Sequence, residues 1–242
     1  MFHVKHWADS ESVPWRPALA ARDAEILEQA YAEAVRLGFL GPREHERLWD
    51  RHLNDAFGLA AIRRPGPGEQ WADLGSGAGL PGLPLAVAYR ATSFTLIDAH
   101  RRRLDWVAAT AAALGLTNIR VVHARLEDYG QGPARQSFDV ATARALGPLP
   151  VVAELGLPLL RVGGQLLIPR GRPGSDELEQ AATACAQLGG RLDGVIPNPA
   201  SPIDRVGFVV IMAKIAATSP RFPRRSGVPA RTPLGQRRST KR

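Results

Sequence analysis

The stretch DLGSGAGLPG, Asp73 to Gly82, has the composition of a loop that brings its backbone close to a ligand. Four glycines fall within eight positions, and glycine permits a close approach while the N-terminus of a following helix offers free N–H groups. The lead-in WADL predicts a strand before the loop, and the apolar residues after it predict a helix. Taken alone, the pattern fits a dinucleotide, a phosphate, S-adenosylmethionine or a tight turn that binds nothing.

The details of the loop disfavour two of these ligands. Three of its glycines satisfy the G-x-G-x-x-G fingerprint of dinucleotide sites. However, the acidic Asp73 stands where such sites usually carry an apolar or small residue, and Pro81 and Pro84 stiffen the turn that would receive a pyrophosphate. No Gly-Lys-Ser/Thr follows the loop, which excludes a P-loop.

Further candidates follow the next three predicted strands. Asp98 ends the second strand, 23 residues after Gly75, where an acid can accept both hydroxyls of a ribose; a helix N-cap is the alternative. Leu126 and the amide beside Glu127 follow the third strand and could hold an adenine. Arg144 follows the fourth, beside the switch point where ligands bind; a surface salt bridge is its alternative. Together these residues favour S-adenosylmethionine.

Strands alternate with helices after residue 68, which predicts a mostly parallel α/β sheet with right-handed crossovers. The last two strands, GRLDGVIP and RVGFVVIMAK, are predicted to close the sheet as an antiparallel pair. Apolar spacing predicts two earlier helices, over residues 23–37 and 43–59. The predicted units are a disordered or loosely ordered N-terminus (1–22), a helical extension (23–62), a ligand-binding main domain (68–217) and a basic tail (218–242).

Positive charge is concentrated in that tail. Residues 218–242 hold eight Lys or Arg and no Asp or Glu, whereas the rest of the chain holds 23 basic and 23 acidic residues. A segment of this composition cannot bury enough apolar surface to fold alone. It is typical either of a solvated, disordered end or of an arm that contacts phosphate backbones.

Composition also restricts the class of protein. The sequence has no apolar run of about 18 residues, so no membrane-spanning helix is expected, and its start lacks the apolar stretch of a signal peptide. The single cysteine, Cys185, fits a reducing compartment. The six histidines do not cluster at metal-ligand spacing, so no metal is expected. We expect a soluble, cytoplasmic protein without a membrane partner, and a monomer.

Seven motifs occur in one order along the chain: ERLWDRHLNDA, WADLGSGAGLPGLPLA, LIDAHRRRLDWV, HARLED, FDVATARAL, PLLRVGGQLLIPRG and PRRSGVPARTPL. In this combination the sequence resembles the GidB/RsmG family of S-adenosylmethionine-dependent methyltransferases, which act on guanine N7 of 16S ribosomal RNA. The resemblance runs from about Ala24 to Leu234. It implies a Rossmann-like class I methyltransferase fold with a seven-stranded, mostly parallel sheet and an N-terminal helical extension.

The resemblance implies roles for individual residues. It implies cofactor contacts at Gly75, Leu80, the Leu126–Glu127 pair and Arg144, and the ribose role for Asp98. With Asp73 and Gly77 of the glycine loop, these residues form the predicted cofactor site. Candidate RNA contacts come from the RHLND motif and from later basic positions: Arg51, His52, Asn54, Arg170, Arg224 and Arg225. The implied partner is 16S ribosomal RNA or a precursor of the small ribosomal subunit. The family often carries Ser at position 56 and Lys at position 170, which leaves side-chain roles there open.

Methylation at guanine N7 requires little acid–base chemistry, because the N7 lone pair is not delocalised and no proton has to be removed. The site must align the nucleophile with the methyl group and exclude water. We expect Arg144 and Arg170 to be positioning groups, because an arginine can bridge guanine O6 and N7 before transfer. The alternatives are a methyltransferase of this fold acting on another RNA or a small molecule, a non-catalytic nucleic-acid-binding regulator and, more distantly, a nicotinamide dehydrogenase.

Overall fold

The structure is a computed structural model that describes residues 19–44, 46–201 and 207–236. The predictions for residues 1–18 and for the last six residues of the basic tail lie outside this range. Helix α1 spans Ala21–Arg36, close to its predicted bounds. The second predicted helix begins five residues later than expected, as a π-helical segment, Leu48–Leu53, that continues directly into helix α2, Asn54–Ile62.

In the described part of the chain, seven strands form one sheet with the order β3-β2-β1-β4-β5-β7-β6. The strands are β1 Gln70–Leu74, β2 Ser93–Asp98, β3 Ile119–His123, β4 Phe138–Ala143, β5 Leu160–Arg170, β6 Gly190–Pro197 and β7 Phe208–Lys214. Strands β1 to β5 pair in parallel, while β7 runs antiparallel between β5 and β6. The mostly parallel sheet and its closing antiparallel pair are therefore confirmed.

Helices cover both faces of the sheet. One face carries α1 and α2 together with α3, Gly82–Ala88, and α4, Arg101–Ala113. The other face carries α5, Leu126–Gln131, α6, Leu149–Gly156, and α7, Ser175–Gln187. A 3₁₀ turn, Leu157–Leu159, connects α6 to β5, and the short helix α8, Val228–Arg231, follows the sheet.

Alternation along the strands divides the core into two layers. In β1, Trp71 packs into the layer beneath α1–α4, whereas Ala72 and Leu74 pack into the layer beneath α5–α7. This follows from the opposite directions of successive strand side chains. Leu27 of α1 and Phe57 of α2 are fully buried in the same cluster as Trp71. The helical extension thus shares its core with the sheet.

The basic tail differs from its prediction over residues 218–236. Phe222 is 3% exposed and lies in the same core cluster as Leu126 of α5. The carbonyls of Thr218, Ser219 and Phe222 accept hydrogen bonds from Arg135. The interpretation as a solvated, disordered end is therefore wrong for these residues, because the domain supplies the apolar and polar partners that the segment lacks alone. Within the described ranges, no helix is long and apolar enough to cross a membrane.

Candidate functional site

The loop after β1 adopts backbone conformations that favour glycine. Gly75 and Gly77 have φ angles of +65° and +53°. A Cβ atom on Gly75 would lie 2.6 Å from Leu146 Cδ1, whereas one on Gly77 would meet only a backbone oxygen at 4.0 Å. The space over Gly77 is open, so a ligand can approach the backbone there.

Asp98 holds this loop from the end of β2. Its Oδ2 accepts a hydrogen bond from Gly77 N–H, and its Oδ1 accepts one from His100 N–H, both at 2.8 Å. Burial by itself raises the pKa of Asp98, but these hydrogen bonds bring the pKa below its usual value. Asp98 is therefore ionised at neutral pH, and Oδ2 keeps a lone pair for a further donor such as a ribose hydroxyl.

Asp73 lies in β1, two residues before the first glycine of the loop, and is only 1% exposed. Its Oδ2 accepts a hydrogen bond from Gly82 N–H at 2.9 Å. Its Oδ1 is buried and has no hydrogen-bond partner among the described residues. Burial raises the pKa of Asp73 to about 7, against the opposing effects of Gly82 N–H and Arg144. A buried carboxyl oxygen without a partner is costly, so Oδ1 marks a position for a donor or a cation.

The π-helical segment brings His52 to Arg144 at the end of β4. Arg144 Nη2 donates a hydrogen bond to His52 Nδ1, and His52 Nε2 lies 2.6 Å from Glu44 Oε2. Because an arginine can only donate, Nδ1 accepts and the ring proton resides on Nε2. Glu44 also accepts from Arg51 Nη1, at 3.1 Å to each oxygen. A polar chain thus runs from the helical extension to the predicted positioning arginine.

Electrostatics fix the protonation states along this chain. Burial and the adjacent Arg144 guanidinium lower the pKa of His52 to about 4, so the imidazole is neutral near pH 7. Burial opposes ionisation of Glu44, but Arg51 and His52 bring its pKa below the usual value. Burial also lowers the pKa of Arg144, although an arginine remains charged at neutral pH. His52 therefore faces an ionised Glu44 with its Nε2 and accepts a hydrogen bond from a charged Arg144 at its Nδ1.

Further buried polar atoms at and near Arg144 have no hydrogen-bond partner among the described residues. Arg144 Nη1 and the Tyr31 hydroxyl are both buried and make no hydrogen bond there. Burial raises the pKa of Tyr31 well above its usual value, and Arg144 and Asp73 are its electrostatic neighbours. Tyr31 therefore stays protonated. These atoms and Asp73 Oδ1 form an incompletely paired polar cluster beside the glycine loop, which is the arrangement expected where a polar ligand completes the pairing.

The proposed adenine position lies at the start of α5. Leu126 is 6% exposed and packs into the core layer beneath α5–α7. The Glu127 carboxylate accepts a hydrogen bond from Gly227 N–H at 2.8 Å, so this side chain is engaged with the C-terminal segment. Only the backbone at Glu127 is therefore available to hold an adenine, which is the role predicted from the sequence.

A cavity of about 220 Å³ opens beyond the ends of β4 and β5. Its lining includes Leu146, Ile168, Arg170 and Arg172. Both terminal nitrogens of Arg170 donate to Glu177, at 2.8 and 2.9 Å, so its fork is already paired within the protein. This pairing corrects the prediction that Arg170 bridges guanine O6 and N7 with that fork.

The remaining predicted residues occupy different surroundings. Leu80 is buried in the core layer beneath α1–α4. Asn54 is 6% exposed, and its Nδ2 donates to the Asp50 carbonyl at 3.5 Å. Arg224 directs its Nε and Nη2 to the buried Glu154, which corrects its interpretation as an RNA-facing side chain, because these donors point inward.

Two participants in this site were not predicted from the sequence. Glu44 and Tyr31 lie before the glycine loop and are among the electrostatic neighbours of Arg144. Tyr31 follows Leu27 by four residues, a helical spacing that places both on the buried face of α1. No comparable signal marks Glu44, because its role depends on how the loop after α1 folds back onto the π-helical segment.

Comparison of the sequence with known proteins identifies a family and several named relatives. Residues 26–196 match the family profile GidB, described as rRNA small subunit methyltransferase G. Relatives named ribosomal RNA small subunit methyltransferase G include that of Chloroflexus aggregans, 41% identical over 79% of this chain and 80% of the relative. The Deinococcus radiodurans relative is 36% identical over 87% of this chain and 84% of its own length.

Solved structures support the fold. A mutant of MtNAS in complex with S-adenosylmethionine superposes with a TM-score of 0.55, at 17% identity, over 81% of this chain and 77% of that chain. TrmN from Thermus thermophilus gives a TM-score of 0.53 at 20% identity, over 69% of this chain and 53% of that chain. At these identities the likeness concerns the Rossmann-like architecture alone.

Proposed function

Because the chain belongs to the rRNA small subunit methyltransferase G family, we propose that it transfers the methyl group of S-adenosylmethionine to N7 of a guanine in 16S ribosomal RNA. The observation that carries this proposal is the incompletely paired polar cluster beside the glycine loop, in which Asp73 Oδ1, the Tyr31 hydroxyl and Arg144 Nη1 have no hydrogen-bond partner among the described residues. We further propose that the protein acts as a monomer in the cytoplasm.

The residues present fit S-adenosylmethionine. Asp73 Oδ1 is a buried acceptor without a partner in the described structure, which suits the ammonium of the methionine part. Gly77 is open to a ligand, and Asp98 is an ionised acceptor suited to the ribose hydroxyls. Leu126 and the backbone at Glu127 would hold the adenine. When bound, S-adenosylmethionine supplies an electrophilic methyl group.

Arg144 positions the guanine in this proposal. Its Nη2 donates to His52, while Nη1 has no partner among the described residues and is the donor proposed for guanine O6, which leaves the N7 lone pair for the methyl group. The His52–Glu44 pair restricts rotation of the guanidinium, which keeps this donor in one orientation. Guanine N7 attacks without losing a proton, so the neutral His52 serves orientation and no general base is required.

The cavity beyond β4 and β5, whose lining begins at Ala145 directly after Arg144, suits one base. Its volume of about 220 Å³ lies below the roughly 300–1,000 Å³ of sites for drug-sized ligands. Leu146 and Ile168 supply the apolar part of its lining, against which the face of a base can pack. Arg172 lines the same cavity and is exposed, whereas the fork of Arg170 is paired with Glu177, so Arg172 is the better candidate for RNA contact.

The proposal is tested by methylation of defined RNA. Purified protein is incubated with methyl-labelled S-adenosylmethionine and either unmodified 16S RNA or small subunits from a strain that lacks this gene. We expect one 7-methylguanine per RNA, located by chemical cleavage and mass spectrometry, and its loss in Arg144→Ala under single turnover. Methyl transfer to another atom or to neither substrate would overturn the assignment, and unchanged single-turnover transfer in Arg144→Ala would overturn the role of Arg144.

A further inference from the structure

The segment from Thr218 to Gln236, termed the strap below, contacts both ends of the short helix α5. Gln131 Nε2 donates to the carbonyls of Pro220 and Pro223, at 3.1 and 2.8 Å. Gly130 lies so close to Pro223 that an added Cβ would be 2.9 Å from Cγ of the proline. Gly227 N–H donates to Glu127 Oε1 at 2.8 Å. The first turn of α5 and its last two residues are therefore both held by the strap.

Arg135, four residues after α5, adds a second set of bonds. Its Nη1 donates to the carbonyl of Phe222 at 2.6 Å, and its Nη2 donates to those of Thr218 and Ser219 at 2.6 and 3.0 Å. Nη1 also donates to the Gly130 carbonyl at 3.2 Å. One guanidinium thus ties the end of α5 to the start of the strap.

The strap is itself anchored on α6 and α7. Glu154 of α6 is fully buried and accepts hydrogen bonds from N, Nε and Nη2 of Arg224, at 2.9, 2.8 and 2.6 Å. Such a buried carboxylate requires its partner, so the position of Arg224 relative to α6 is fixed. Near its described end, the strap passes α7 so closely that a Cβ on Gly235 would lie 2.3 Å from the Gln180 carbonyl oxygen.

We propose that the strap sets the position of the Leu126–Glu127 turn and thereby the affinity of the site for the adenine of the cofactor. A helix of six residues is too short to be stable by its own hydrogen bonds, so external contacts decide where it lies. The strap provides those contacts from an anchor on two larger helices. Gln131, Arg135 and Arg224 are positioning residues in this inference, which rests on the proposed placement of S-adenosylmethionine.

The test uses Gln131→Ala, which removes only bonds to strap carbonyls, and the double variant Gln131→Ala/Arg135→Ala, which removes five such bonds and the Arg135 bond to the Gly130 carbonyl; both leave Leu126 and Glu127 intact. The matched control is Gln29→Ala/Arg191→Ala, which removes the same residue types from exposed positions on α1 and β6. Calorimetry gives the Kd of each protein for S-adenosylhomocysteine and for S-inosylhomocysteine. Hypoxanthine cannot accept at N1, so the inosyl ligand already lacks the bond from the amide beside Glu127.

For the double variant, termed the strap variant, we expect a Kd for S-adenosylhomocysteine that is about five-fold higher, the size of one lost hydrogen bond. The Kd for S-inosylhomocysteine should change by less than about two-fold, and neither Kd should change in the control. An unchanged adenosyl Kd, or an equal loss for both ligands, would overturn the proposal. Should the double variant fail to fold by circular dichroism, Gln131→Ala alone decides, since Gln131 is exposed and the same selective loss is required.

A separate variant distinguishes this proposal from the placement on which it rests. Leu126→Asp puts a charge against the proposed adenine position. If this change leaves the Kd for S-adenosylhomocysteine unaltered, the placement of the adenine is wrong. If it weakens binding while the strap variant does not, the placement stands and only the role of the strap is refuted.

Discussion

His52 Nδ1 accepts a hydrogen bond from Arg144 Nη2, and this bond joins residues that are 92 positions apart. Since Nε2 of the same ring lies 2.6 Å from Glu44 Oε2, one imidazole links the loop after α1 to the end of β4. The helical extension thereby has a chemical role besides its packing, because it determines the orientation of the proposed guanine-positioning arginine.

The first prediction concerns this hydrogen bond. His52→Ala removes the acceptor of Nη2 and frees the Arg144 guanidinium to rotate, so kcat/KM for RNA methylation should fall roughly ten- to hundred-fold, as for loss of a hydrogen bond to a charged group. The double variant His52→Ala/Arg144→Ala should be no worse than Arg144→Ala, because His52 acts through the arginine. Single-turnover assays of the four proteins measure the coupling; strictly additive losses would refute it.

The second prediction concerns the ionisation of Asp73. Its pKa of about 7 leaves the carboxyl mostly protonated below neutrality in the ligand-free protein. A cationic ligand group favours the carboxylate, so the affinity for S-adenosylmethionine should rise with pH between about 6 and 7 and level off above about 8. Calorimetry across this range should show the trend in the native protein and a flat profile in Asp73→Asn.

Asp139→Asn is the matched control for this variant. Asp139 is also a buried aspartate, but its Oδ2 accepts from Gln70 N–H at the opposite end of the sheet, so the pH trend should persist there. The stability of the ligand-free protein gives a second check, because it should fall with rising pH whereas the affinity should rise. Because the folded-state pKa of Asp73 is raised, its contribution to the free energy of unfolding falls as pH rises from about 4 to about 7. An affinity independent of pH would contradict the role of the carboxylate.

Much of the sheet and its ligand edge could be predicted from sequence. In a parallel sheet, strand ends converge at one edge, so Asp73, Asp98 and Arg144 could be placed together from the order of strands and loops alone. The glycine loop could also be predicted from the sequence, since Gly75 and Gly77 have left-handed backbone conformations that favour glycine.

The partners of these residues could not be predicted in the same way. The pairing of Arg224 with Glu154 joins positions 70 residues apart, and the Arg170–Glu177 pair depends on how α7 docks after β5. Runs of arginine have the same sequence signature whether their side chains face RNA or a buried carboxylate. Only the packing of the helices distinguishes the two, which is why the sequence alone places Arg170 and Arg224 among the RNA contacts.

The third prediction separates backbone strain from ligand binding. Gly77→Ala and Gly68→Ala both put a Cβ on a left-handed residue, with φ of +53° and +77°, and neither Cβ meets an atom closer than 4.0 Å. Each change should lower the free energy of unfolding by about 1–2 kcal/mol, measured by urea denaturation. Only Gly77→Ala should also weaken S-adenosylmethionine binding, because its methyl group would occupy the open space over the loop. Equal affinities in the two variants would exclude Gly77 from the site.

The fourth prediction concerns the last six residues, Arg237 to Arg242, which carry four basic side chains. If these side chains bind RNA phosphates, deleting them should reduce the slope of log Kobs against log salt by about 0.7–0.9 for each phosphate that they neutralise. The deletion starts at Arg237 so that Gly235, which lies against α7, stays in place. Affinity for S-adenosylmethionine and the melting temperature should then remain at native values. An unchanged salt slope would show that these charges are solvated in the complex, and RNA binding would have to rely on the folded body, where Arg225 is exposed.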